Sequence, residues 1–121
     1  MLFRTRVVCT LCLFTLAILP GAANAEESSL WFNRDIRPIL SSNCFACHGF
    51  DAKKRQADLR LDTPEGATAD HDGVQAIAPG NLAKSELWRR VTNTDEDEMM
   101  PPPASNKKLT DAERRLLKKW I

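Results

Sequence analysis

The stretch Cys44-Phe45-Ala46-Cys47-His48-Gly49, "CFACHG", sets two thiols two residues apart and an imidazole directly after the second. Such a trio serves three chemistries: holding a metal ion, cycling as a redox dithiol, or anchoring a prosthetic group covalently. What flanks it decides among them.

On the amino-terminal side, Phe32, Ile36, Ile39 and Leu40 fall at steps of four, three and one, on one helical face. Pro38 either kinks that helix or lies near its start, with Asp35 as candidate cap. Further upstream, Arg4 and Arg6 head an apolar run from Val7 to Leu19, and Ala23-Asn24-Ala25 has the small-x-small pattern of a cleavage site. Residues 1–25 therefore read as a secretory signal peptide and 26–121 as one domain. The apolar run is shorter than the roughly 20 residues a bilayer span requires, so no stable membrane insertion is expected after cleavage.

Cleavage takes the 17 basic residues to 15, against 16 acidic ones, so nothing suggests a nucleic-acid partner. It also removes Cys9 and Cys12. These form a second C-x-x-C, "CTLC", followed by leucine instead of histidine, so the spacing alone carries little. No small residues precede Cys12 as they would at a lipid-anchoring site. Only Cys44 and Cys47 remain.

Beyond Gly49 the chain turns polar, and Asp62-Thr63-Pro64-Glu65-Gly66 signals a turn. From there to Gly80 the pattern predicts a surface loop with at most one helical turn. Ser85 opens a helix over Glu86 to about Val91. "NTDEDEMMPPP", residues 93–103, predicts a stiff, extended loop. Thr110-Asp111-Ala112-Glu113 is a capping box, and Ala112, Leu116 and Trp120 recur every four residues in a helix still running at Ile121. Trp31, Trp88 and Trp120 are expected in the core, with Trp120 against Phe32 and Ile36.

Zinc would need a fourth ligand, for which His71 is the remaining strong candidate, and adjacent Cys47 and His48 diverge on a helix. A thioredoxin-like pair belongs at a helix amino terminus beside strands, whereas here a helix precedes the cysteines. A Cys44–Cys47 disulfide would close a very short loop and add little. C-x-x-C-H is, by contrast, the attachment signature of c-type haem. Thiols one helical turn apart each form a thioether with a vinyl group on one porphyrin edge, and the following histidine reaches the iron. Export and a small core in need of a staple agree with that reading.

His48 leaves one face of the iron free, with Met100, Met99, His71 or nothing to fill it. Met100 is the favoured ligand, because Pro101 restricts its backbone and the loop presents a thioether at low entropic cost. Asp95 to Glu98 reads as a solvated loop ahead of a docking patch for a basic partner. Lys53, Lys54 and Arg55 read as a mostly solvent-facing charge run ahead of a set that neutralises haem propionates, with Arg55 the best single candidate for that role.

"FNRDIRPILSSNCFACHG", "ADLRLDTPEGA", "IAPGNLAKSELWRRV" and "MPPPASNKKLTDAERRLLKKWI" together resemble the planctomycete-type cytochrome c domain found at the amino terminus of larger exported proteins. The resemblance covers nearly the whole of 26–121. It implies an all-α, class I cytochrome c-like fold, with N- and C-terminal helices packed around one covalently bound haem c. It also implies Cys44 and Cys47 as thioether residues, His48 as proximal ligand and Met100 as distal ligand. Phe50 departs from the family, where proline commonly follows the glycine.

The function implied is a periplasmic or otherwise exported monohaem carrier of single electrons, not an enzyme by itself. Its partner would be a redox protein or an adjacent domain. Two alternatives stand beside it: the electron-accepting module of a larger oxidoreductase, of which this chain is the amino-terminal fragment, and a haem-based ligand sensor with an open sixth position.

Overall fold

The computed structural model describes residues 29–121; the signal peptide expected over 1–25 lies outside them. A π-helical turn, Phe32–Ile36, runs directly into α1, Arg37–Asn43. The proline explains the widening. Pro38 offers no N–H and its ring crowds the carbonyl four residues back, and the Arg37 N–H instead reaches Phe32 O, five residues back. Asp35 does not sit at the helix start, yet its carboxylate accepts the Trp31 backbone N–H at 2.7 Å and so closes the first turn.

After the loop that follows α1 come α2, Pro64–Thr68, and a hairpin of β1, Asp70–His71, with β2, Val74–Gln75. A 3-10 turn, Leu82–Lys84, leads into α3, Glu86–Val91. The methionine loop ends in a second 3-10 turn, Pro103–Ser105, before α4, Asp111–Trp120.

The hairpin overturns the all-α expectation. Four α-helices share the chain with a two-stranded antiparallel sheet, and helix of every kind makes up 42% of the described residues. Asp72 and Gly73 at its tip have φ of 54° and 86°, the positive pair that a two-residue hairpin turn demands. Strands of two residues are too short to leave an alternating pattern in the sequence. The stretch from Gly66 to Gly80 is accordingly more ordered than the loop expected there.

Buried Ile36, Ile39 and Leu40 form one core cluster with Leu87, Val91 and Leu117 of the later helices and with Leu61 and Leu109 from the loops. Each such side chain contributes about 1.5–3 kcal/mol by leaving water. The expected contact of the terminal helices is present: the Phe32 and Trp120 rings lie 5.6 Å apart at 39°. Trp88 is half-buried with the Lys118 ammonium 6.0 Å above its ring. Trp31, expected in the core, is 62% exposed. It stands at the amino-terminal edge of the π turn, where its indole N–H donates to Ser29 Oγ at 2.9 Å.

The capping box at α4 forms as read, with Thr110 Oγ1 accepting from the Glu113 N–H and Glu113 accepting from the Thr110 N–H. Ser85 does precede α3, but its hydroxyl does not cap it. Almost wholly buried, the hydroxyl accepts from the Ala78 N–H at 3.0 Å and donates to Asn81 O at 2.8 Å. It thereby ties the 78–81 loop to the helix.

Candidate functional site

Helix α1 ends where the motif begins. The Cys47 N–H and the His48 N–H both donate to Cys44 O, at 3.1 and 2.8 Å. Cys44, Cys47 and His48 therefore sit on a single turn, with the two thiols one turn apart. Both cysteines are free thiols, Cys44 half-buried and Cys47 exposed. Burial, then the neighbouring Cys47 thiol and the Glu113 carboxylate, push the Cys44 thiol up to about 12. Burial thus favours the protonated form of this thiol.

His48 is the unusual member. Its Nδ1 is buried and has no hydrogen-bond partner. Burial lowers its pKa, opposed by the nearby Gln56 backbone carbonyl, which lies outside hydrogen-bonding geometry. Burial thus favours the neutral imidazole, the form that ligates a metal. Leaving a buried polar nitrogen unsatisfied costs about 1–3 kcal/mol, and such atoms are rare enough to need a reason.

The loop after the motif folds back over it. The Gln56 N–H donates to Cys47 O and the Leu61 N–H to His48 O, each at 2.8 Å. Arg55 is turned toward the chain just past the motif. Its Nε donates to Gly49 O and its Nη2 to Phe50 O, both at 3.1 Å, so it clamps that stretch. Lys53 and Lys54 are exposed. Phe50, where the resembling family commonly has proline, is 80% exposed. Gly49 is buried, and a Cβ there would run into the Phe45 carbonyl; only glycine lets the turn close this tightly.

Met99 and Met100 are half-buried and line one cavity of about 370 Å³ together with Val91, Pro101, Leu109 and Arg114. The Met100–Pro101 peptide is cis. Cys44, Cys47 and His48 do not line that cavity. Both sides meet at the start of α4, where Arg114 borders the cavity and the Glu113 carboxylate acts on Cys44. Because both methionines line the cavity, burial does not separate them.

His71 lies exposed on β1, away from the motif. Among the described residues no three of His, Cys, Asp and Glu come together as a metal cluster. The four-ligand zinc arrangement of Cys44, Cys47, His48 and His71 is therefore not assembled. A haem needs only the turn itself: two thiols one turn apart and an imidazole with a buried, unpartnered nitrogen. The residues present fit that group.

Residues that the sequence reading undervalued lie around the methionine loop. The acidic run is not merely solvated: Glu98 Oε2 accepts from Arg89 at 2.8 Å, and Glu98 O accepts from Arg90 at 3.2 Å. Glu86 accepts from both arginines, from Arg89 at 2.8 Å and from Arg90 at 2.7 Å. The Glu86 to Arg90 spacing was the available signal, an i to i+4 pair. Its link to Glu98 spans a loop and leaves none.

The chain matches the family described as Planctomycete cytochrome C over residues 44–104. No curated protein and no solved structure matches it.

Proposed function

This chain belongs to the planctomycete cytochrome C family, a c-type cytochrome family that implies covalently bound haem c, and on that premise we propose that it is an exported, monohaem electron-transfer domain. The single observation that carries the reading is the turn ending α1, where two free thiols and an imidazole with a buried, unpartnered Nδ1 share one backbone anchor, Cys44 O.

In this reading Cys44 and Cys47 hold the group covalently and His48 is the proximal iron ligand. Met100 would be the distal one. Bound there, haem supplies a one-electron iron couple. The protein's own residues do the rest. Arg55 and the 56–61 loop fix the turn, Leu109 and Val91 exclude water beside the methionines, and a partner protein or adjacent domain would exchange electrons with the group. Nothing in this arrangement requires the domain to be an enzyme by itself. Export follows from the signal-like segment over 1–25, in keeping with the extracytoplasmic setting typical of cytochrome c domains. Among the described residues no helix is long and apolar enough to cross a membrane.

The test is a haem-stained denaturing gel of the protein expressed with its export segment, alongside oxidised and reduced absorption spectra. A covalent haem band that disappears in Cys44→Ala/Cys47→Ala is expected, with a low-spin reduced spectrum and a weak sulfur-to-iron band in the near infrared of the ferric state. Absence of covalent haem from the unaltered protein overturns the proposal. Covalent haem that is high-spin and binds carbon monoxide readily would replace it with an open-site, ligand-binding function.

A further inference from the structure

Met99 and Met100 line the same cavity, so what distinguishes them is how each backbone is held. The Met99 N–H donates to Asp95 O at 2.8 Å, inside its own loop. The Met100 N–H donates to Arg90 O at 3.0 Å, in the last turn of α3. One methionine is tied only to its own exposed loop, the other to a helix whose Leu87 and Val91 are buried in the core.

The same arginine grips the loop a second time. Its guanidinium donates through Nη1 to Glu98 O at 3.2 Å, stands 3.6 Å from the Glu98 carboxylate and is held from behind by Glu86 at 2.7 Å. Arg89 bridges the same two glutamates from the more exposed side. Four consecutive acidic residues, Asp95 to Glu98, would otherwise repel one another and extend the loop. A guanidinium suits this task because its donors form a planar fork that reaches a carboxylate and a carbonyl together. With side-chain exposures of 31% for Arg90 and 26% for Glu86, the pair is shielded more than a surface bridge.

We infer that Arg90, backed by Glu86 and Glu98, is a positioning residue that selects Met100 over Met99 as the distal iron ligand; this rests on the His48/Met100 reading above. Arg90 touches neither haem nor iron in this assignment. The backbone carbonyl at 90 ties the Met100 amide to α3 whatever the side chain. The guanidinium adds the tie to Glu98, two residues before Met100, and by holding that end of the loop keeps the Met100 amide hydrogen bond closed and its thioether in one place.

The experiment uses the full, haem-loaded protein and three readouts: the ferric near-infrared sulfur-to-iron band, the rate of carbon monoxide binding to the ferrous form, and hydrogen exchange of the Met100 amide. Arg90→Ala is expected to weaken or shift the band and to speed both carbon monoxide binding and Met100 exchange about tenfold, the factor for a local loss of about 1.4 kcal/mol. Arg90→Lys should recover part of each change, and Glu86→Gln should move all three in the same direction as Arg90→Ala by less. Unchanged values in folded Arg90→Ala overturn the inference. If that variant does not fold, unchanged values in both Arg90→Lys and Glu86→Gln overturn it equally. A band missing from the unaltered protein, or one that survives Met100→Leu and is lost in Met99→Leu, would instead refute the Met100 ligand itself, so the two failures are told apart.

Discussion

The aromatic rings of Phe32 and Trp120 meet with centroids 5.6 Å apart and planes inclined at 39°, joining the π turn ahead of α1 to the last turn of α4. Residues 88 positions apart in sequence thereby lock the helix that delivers the C-x-x-C-H turn to the helix that begins beside it. Trp120→Ala should destabilise the protein by about 2–4 kcal/mol, near the lower end for a large aromatic because the side chain is only half-buried. Phe32→Ala, with Phe32 41% exposed, should cost about 1–2 kcal/mol. A double-mutant cycle by denaturant unfolding should return a coupling of about 0.5–1.5 kcal/mol. Strict additivity would show that the ring contact contributes nothing beyond burial.

Gly49→Ala tests the tight closure after His48. The added methyl meets the Phe45 carbonyl, a backbone atom that cannot swing aside. A loss of about 1–3 kcal/mol is expected, together with a lower yield of covalent haem at equal protein level. Equal yield and equal stability would show that the turn can open without consequence.

Acid should loosen the α3 clamp. Hydrogen bonds from Arg89 and then Arg90 hold the Glu86 pKa below its ordinary value of 4.5. A carboxylate with a depressed folded-state pKa adds stability that is fully present above its unfolded value, and that stability is lost as pH falls through the folded one. Thermal unfolding from pH 7 downward should therefore show Glu86→Gln less stable than the unaltered protein at neutral pH, with the gap closing below about pH 4.5. A gap that stays constant with pH would remove Glu86 from the acid response.

Thr110→Ala removes the oxygen that accepts the Glu113 N–H at 3.2 Å. The expected cost is about 1 kcal/mol, read as a lower denaturant midpoint. Thr110→Ser should retain most of the stability, and a threonine-to-alanine change without effect would mean that water caps α4 as well as the side chain does.

How much of this was legible follows from how local each feature is. The C-x-x-C-H turn, the Thr110 to Glu113 box, the apolar stripe ahead of Cys44 and the helix through Trp120 all repeat within four residues, the reach of one helical turn, so the sequence by itself determined them. The pairing of Phe32 with Trp120 was accessible because each sits on the apolar face of a readable helix.

Other features needed the fold. The hairpin at 70–75 is two residues to a strand, too brief for a period. Trp31 is apolar enough for a core but stands beyond the last turn that has one to offer. Arg55 and Glu98 look like any solvated charges until the loop paths bring Gly49 O and Phe50 O within reach of the one, and Arg89 and Arg90 within reach of the other. Helical periodicity comes from backbone geometry and is written along the chain. Which carbonyl or carboxylate a long cationic side chain finds is settled only when loops of irregular conformation close, and in this protein that closure decides what surrounds His48 and how Met100 is held.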